Sequence, residues 1–221
     1  LLNALAAGRG PDVFFLEDTT LRSYQDKISP LPEGSLGYEK SDLKSVFADG
    51  AVTLITDGSG ALVATPLALD TLALFYNRDY LNAANIPSPP ATWEELIDQV
   101  RILTKLSSVG GIQRSAIALG TAANVDHAAD ILAALIYQSD GAFVDPTGRT
   151  SAINGPATVS ALAFYTAFSD STRKTYTWNA FFEPSLRAFA KGDTAMAIGY
   201  AANVPFVAAE NPQLNFDVAP L

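Results

Sequence analysis

The spacing of apolar side chains changes along the chain, and each change marks an element. From Leu72 to Tyr76 the residues Leu72, Leu74 and Tyr76 alternate as on a buried strand, and the pattern breaks at Asn77-Arg78-Asp79. From Thr92 the period lengthens to that of a helix, with Leu96, Ile97, Val100, Leu103 and Leu106 on one face. Glu94, Asp98, Gln99 and Arg101 stand largely opposite, so the spacing predicts a helix over 92–105. Thr92 with Glu95 three residues later is a capping box, and Trp93 reads as a staple packing that first turn against the Pro-rich connector before it. Short continuous apolar runs, VFFL at 13–16 and Ala116 to Leu119, read as buried strands. TAMAIG at 194–199 reads as a small-residue strand ending at Tyr200. Further helices are predicted up to Gln138, from Pro156 to Phe168 with Val159, Leu162, Ala163 and Thr166 as its apolar face, and from Glu183 to a stop at Gly192. Between Ser29 and Asp57 the pattern is mixed, with one short helix at 42–47 capped by Ser41 or Asp42. Asp57-Gly58-Ser59-Gly60 lacks the third glycine, the lysine and the following helix of a phosphate loop. It reads as a hairpin turn before a strand at 62–65.

Candidate chemistry enters where polar groups interrupt these patterns. Asp70 is an acid inside the apolar run PLALDTLALFY, where a carboxylate must be hydrogen-bonded, paired, or reached by water or ligand. Tyr176-Thr177-Trp178-Asn179 alternates aromatic and polar side chains in a loop. Aromatic faces stack on the C–H faces of sugar rings, so Trp178 and Asn179 are ligand candidates, with a core anchor as the alternative for Trp178. Phe181 and Phe189 read as core. Asp18 and Thr19 follow the VFFL run, where open α/β sheets place ligands, or they cap the helix expected from Leu21. The single histidine, His127, has no cysteine or second histidine to complete a zinc site and no recognisable triad. Asp140 to Gly148 holds the acids and glycines of a calcium loop without their spacing, so no metal is expected.

Composition narrows the class. With 221 residues, 48% of them hydrophobic, the chain can bury a sizeable core. A net charge of −9 without any basic run argues against nucleic acid and favours a neutral or cationic small molecule as partner. There is no cysteine, hence no disulfide frame or thiol nucleophile. No apolar run is long enough to span a bilayer, and no secretion signal stands at the amino end. Leu1-Leu2-Asn3 reads as a helix already under way, so the expectation is a piece of a longer protein with any signal upstream.

Three stretches together resemble one family. ATPLALDTLALFYNRDYLNAANIPSPPATWEELIDQVRILTK (64–105), LAAGRGPDVFFL (5–16) and FAKGDTAMAIGY (189–200) are similar, in order, to bacterial extracellular solute-binding proteins of the sugar-binding, maltodextrin type. The resemblance implies an α/β two-lobe, type II periplasmic-binding-protein-like fold, truncated at both termini. Residues 1–66 would be part of the first lobe, 67–76 the first crossover, 77–217 the second lobe and 218–221 the start of the return crossover. It implies an extracytoplasmic receptor, monomeric at full length and without cofactor or catalytic group. Such a receptor captures a small solute, a mono- or oligosaccharide, in the interlobe cleft and delivers it to the membrane permease of an ABC importer. Asp70 aligns with an acid that contacts sugar hydroxyls in the family. Where the best-known sugar binders carry a Trp, this chain has Ala201 and Ala202, leaving Tyr200 and Asn203 as substitutes and the maltodextrin specificity open. The loop with Asn124, Asp126 and His127 would face the cleft. The expected ligand set is therefore Asp70, Trp178 and Tyr200, with Asp18, Thr19, Asn203, Asn179, Asn124 and His127. Two other readings stand beside it. One is a carbohydrate-active hydrolase using paired carboxylates, against which Asp70 is the one acid expected in a buried strand-end setting. The other is a ligand sensor or adhesion protein on the same fold.

Overall fold

In a computed structural model of the chain, residues 1–32, 34, 42–145 and 147–221 are described, Arg22 by its backbone alone. They form two compact units, Leu1–Leu69 and Asp70–Leu221.

Among the described residues, the first unit carries four short helices, α1 (Leu2–Ala6), α2 (Asp18–Leu21), α3 (Leu43–Val46) and α4 (Asp49–Ile55), with a 3-10 turn at Arg22–Lys27. Its buried apolar residues are Leu43, Ala51 and Ile55. α3 lies within the expected 42–47, directly after Asp42, whereas the alternative cap Ser41 lies outside the described residues. α4 was not legible in the mixed pattern. The hairpin turn at 57–60 forms: Thr56 and Leu62 make an antiparallel bridge, and the Asp57 carboxylate accepts from Ser59 N, Ser59 Oγ and Ala61 N. These bonds, the Ser59 hydroxyl foremost, hold Asp57 below the usual carboxylate range. Two strand expectations fail. VFFL is not a strand, and Val13 and Phe15 are exposed; 62–65 makes one bridge and no ladder. A strand exists only where a neighbour satisfies its N–H and C=O groups, and among the described residues none lies beside VFFL.

The second unit is built on a five-stranded sheet. Its elements are β1 (Leu72–Asn77), α5 (Arg78–Ala83), α6 (Trp93–Leu103), β2 (Lys105–Leu106), β3 (Ile112–Ile117), α7 (Ala128–Gln138), α8 (Pro156–Thr166), α9 (Ser185–Lys191), β4 (Thr194–Tyr200), α10 (Val204–Glu210) and β5 (Phe216–Pro220). The order across the sheet is β2-β3-β4-β1-β5, with β3 parallel to β4 and β1 antiparallel to both β4 and β5. Leu72 pairs with Tyr200, and Ala73 with Pro220. The start of β1 and the ends of β3, β4 and β5 therefore share one edge, here called the front. Asn77, Phe216 and Thr194 mark the back.

The alternation in β1 feeds two cores. Leu74 joins Val100, Leu103, Ile117, Ile131 and Trp178, while Ala73 and Phe75 join Leu186, Phe189 and Val207 on the opposite face. Each large side chain so buried contributes about 1.5–3 kcal/mol. On α6 Thr92 caps as read, its Oγ1 accepting from Glu95 N at 3.2 Å, but Glu95 Oε2 accepts from Ala91 N at 2.8 Å, one residue before the cap, so the reciprocal half of the box is displaced. Leu96, Val100 and Leu103 are buried, but the helix ends at Leu103. Thr104 is extended, so Leu106 falls in β2 and is exposed. Trp93 staples outward from its helix to α7 and α8: its Nε1 donates to Gln138 Oε1 at 2.9 Å, and its ring meets Phe164 edge-on at 5.5 Å. On α8 the expected face is wrong. Thr158, Ala161 and Tyr165 point inward and Val159 and Leu162 are exposed, because apolar residues surround this helix and periodicity singles out no side.

Candidate functional site

In sheets with parallel strands, ligands gather at the carboxyl ends of those strands. Here that is the front edge, where β3 and β4 end and β1 begins. Asp70 stands just before β1. It is exposed rather than set in a buried strand end, because Pro66 to Leu69 lie outside the sheet and Leu67 and Leu69 are themselves exposed. Its position is nevertheless fixed: Oδ1 accepts from Thr71 N at 2.8 Å and Oδ2 from Ala202 N at 3.2 Å, while Ala201 N donates to Thr71 O at 3.0 Å. A carboxylate offers about four lone-pair directions, so acceptor capacity is left for a ligand.

Tyr200 is the last residue of β4, and its ring meets that of His127 edge-to-face at 4.7 Å. His127 precedes α7 with φ +58, a left-handed conformation that swings its side chain out of helical register. Asn203 Oδ1 accepts from Tyr200 N at 2.8 Å, closing the 3-10 turn at Ala201–Asn203. Asp70, Thr71 and Tyr200, with Asp130, Tyr137 and Gln138 of α7, line an open depression of about 730 Å³ that also borders the end of β5. Asp130 was missed in the sequence, since nothing in a helix pattern brings it to a strand end.

Two loops complete the front edge. Gly120 to Asp126 follows β3 and is tied down from behind: Ser169 Oγ donates to Gly120 O and Tyr165 OH to Thr121 O, both at 2.8 Å. Gly120 has φ +107, and a Cβ there would come within 2.7 Å of Ser169 N, so glycine is required. Burial pushes the Tyr165 hydroxyl up to about 12. The second loop, 175–184, is laid on the first. Thr177 is buried, its Oγ1 accepting from Ala116 N at 2.7 Å and bonding Thr104 Oγ1 at 2.8 Å.

Trp178 is 0% exposed, stacked in parallel on Phe182 at 4.4 Å, and its Nε1 donates to Asn124 Oδ1 at 3.0 Å. It offers no face to a solute and is the core anchor. Asn124 is equally committed, its Nδ2 donating to Asn179 O and Phe182 O. Asp126 accepts from Ser185 Oγ and Leu186 N at the start of α9. Asn179 accepts from Phe181 N through Oδ1 and donates to Tyr176 OH through Nδ2. Three expected ligand residues, Trp178, Asn124 and Asn179, are thus brought together, but to hold one another. Phe189 is buried as expected, whereas Phe181, also read as core, is 98% exposed.

In the first unit, Asp18 opens α2 and Thr19 follows it; both are exposed, and Asp18 Oδ1 accepts from Thr19 N at 2.8 Å. Among the described residues no group of three His, Cys, Asp or Glu could hold a metal ion, and no helix is long and apolar enough to cross a membrane.

The sequence profile of the bacterial extracellular solute-binding protein family matches residues 1–221. Among solved structures, an ABC transporter solute-binding protein from Thermotoga lettingae bound with α-D-tagatose is 22% identical, with a TM-score of 0.71 over 99% of this chain and 56% of that one. The GacH receptor of Streptomyces glaucescens, solved unliganded and with acarbose, is 24% identical, with a TM-score of 0.71 over 99% of this chain and 54% of its own. Maltose-bound MalE3 of T. maritima is 20% identical, with a TM-score of 0.67 over 100% and 55%. The chain thus spans just over half the length of these structures, which carry the type II solute-binding fold.

Proposed function

This chain belongs to the bacterial extracellular solute-binding protein family, and on that premise we propose that it is part of a receptor that captures a neutral saccharide and delivers it to an ABC permease. The observation that carries the reading is the front edge of the second unit. There a fixed, exposed carboxylate, Asp70, and an aromatic ring, Tyr200 backed by His127, share one open depression at the ends of parallel strands. A carboxylate accepts strong hydrogen bonds from sugar hydroxyls, and an aromatic ring covers the carbon face of the same sugar. No reaction is required of these groups; binding alone shifts the populations of the receptor's conformations. The family and the saccharides held by structurally similar proteins support the solute class, and the net charge of −9 disfavours an anionic one. The division of the chain between Leu69 and Asp70 supports reading 67–76 as the crossover between lobes.

The test is a thermal-shift screen of the full-length protein against mono- and oligosaccharides, amino acids and polyamines, repeated with Asp70→Ala. One saccharide class should raise Tm. Asp70→Ala should weaken its binding roughly 10- to 100-fold, the worth of hydrogen bonds to a charged acceptor. A shift with amino acids or polyamines alone would refute the saccharide, and turnover of the bound sugar would refute a pure receptor.

A further inference from the structure

We propose that Phe181 is the aromatic platform on which the solute stacks, the role the sequence places on Trp178 three residues earlier. The inference rests on the saccharide reading of the site. Exposed apolar side chains are common singly and carry no meaning by exposure alone. Phe181 differs in being both bare and held. Its own N–H donates to Asn179 Oδ1 at 3.0 Å, and the carbonyls on either side, Asn179 O and Phe182 O, both accept from Asn124 Nδ2. Two residues on, Glu183 is paired with Lys191 Nζ at 2.6 Å. Trp178 stacks on Phe182, and neither ring covers Phe181. The ring stands 98% exposed on a braced turn.

The brace also places it. Asn124 and Asp126 belong to the loop that leaves the carboxyl end of β3, and Asp126 is bonded to Ser185 and Leu186 just beyond the turn. The residue after Asp126 is His127, whose ring touches Tyr200. Phe181 therefore stands on a loop bonded to the one that leaves the front end of β3, beside rather than within the lining of the Asp70 and Tyr200 depression. A phenyl ring has no polar tip to satisfy, so it suits the C–H face of a sugar, while Asp70 takes the hydroxyls. Because the turn is fixed before binding, little ordering entropy is lost when a solute docks.

The experiment uses the full-length protein and whichever of maltose, mannobiose, acarbose and D-tagatose raises Tm most, titrated by calorimetry into wild type, Phe181→Ala, Phe181→Trp and Asp70→Ala. Phe181→Ala should weaken Kd about tenfold, the order expected for losing one aromatic stack, and leave the unliganded Tm in place. Phe181→Trp should keep the affinity and give an added indole whose emission changes on saccharide binding. Wild-type affinity in Phe181→Ala while Asp70→Ala is weakened would overturn this inference alone. So would a lowered unliganded Tm with unchanged Kd, since Phe181 would then be packed by the rest of the full-length chain. If wild type binds no saccharide of the broader screen either, the saccharide reading fails and the platform fails with it.

Discussion

The two ends of the sheet in the second unit use the same kinds of side chain in opposite ways. At the back, polar groups are spent on the protein. Asn77 Oδ1 accepts from Asp79 N and Tyr80 N to cap α5, Asp79 accepts from Asn215 Nδ2, and Arg78 pairs with Asp217. Arg114 lies over the Tyr80 ring at 4.1 Å, and Tyr80 OH donates to Gly192 O. The backbone N–H of Val218 and the Arg78 guanidinium hold Asp217 below the usual carboxylate range. At the front, Asp70 is fixed by one bond to each carboxylate oxygen and Phe181 through its backbone N–H, and both present the remainder to solvent. On the proposed function, placement at the carboxyl ends of parallel strands, rather than residue type, separates recognition from stability here.

That separation can be broken most severely through Trp178, which lies beneath the front edge but belongs to the core. Trp178→Ala should cost about 3–5 kcal/mol in chemical denaturation, the range for truncating a buried tryptophan, and reduce saccharide binding only in proportion to the unfolded fraction. A specific loss of affinity with normal stability would place the indole back in the site. At the back, Asn77→Ala removes a helix cap and should cost about 1–2 kcal/mol while leaving Kd for the saccharide unchanged. A shifted Kd would mean the two ends are coupled.

The smallest effect is absent at neutral pH. Folded Tyr165 keeps its proton up to about 12, whereas an unfolded tyrosine releases it near 10. Between those values the unfolded state is the one that sheds the proton, so stability is complete below pH 10 and is lost as pH rises toward 12. Tyr165→Phe should flatten that part of the stability-against-pH curve, measured by denaturation, and loosen the loop that Tyr165 OH anchors at Thr121. An unchanged alkaline slope would show that Tyr165 is not the group responsible.

What the sequence disclosed follows from how local each signal is. The strand at Leu72, the Thr92 cap and the buried stripe of α6 are written in period and spacing, and the structure has them. Asp70 was found because an acid interrupts an apolar run, though its exposure was not foreseen. The burial of Trp178 and Phe181 is the reverse of the reading. Both sit in an irregular loop with no period, and which ring turns inward is decided by Asn124 from 54 residues away through the bond to the Trp178 indole. Asp130 joins Asp70 only through tertiary packing of α7. The face of α8 was misread because a helix apolar all round carries no directional signal. VFFL was read as a strand because it has strand composition, but composition supplies no partner.

Hydrogen exchange across the full-length protein, with and without the saccharide that raises Tm most, tests the central claim most directly. Solute capture at the front edge predicts added protection at Thr71, His127, Phe181 and Ala201 to Asn203, with little change at Asp79, Tyr80 and Phe216. Protection confined to the back of the sheet, or none at the front while the sugar is demonstrably bound, would contradict it.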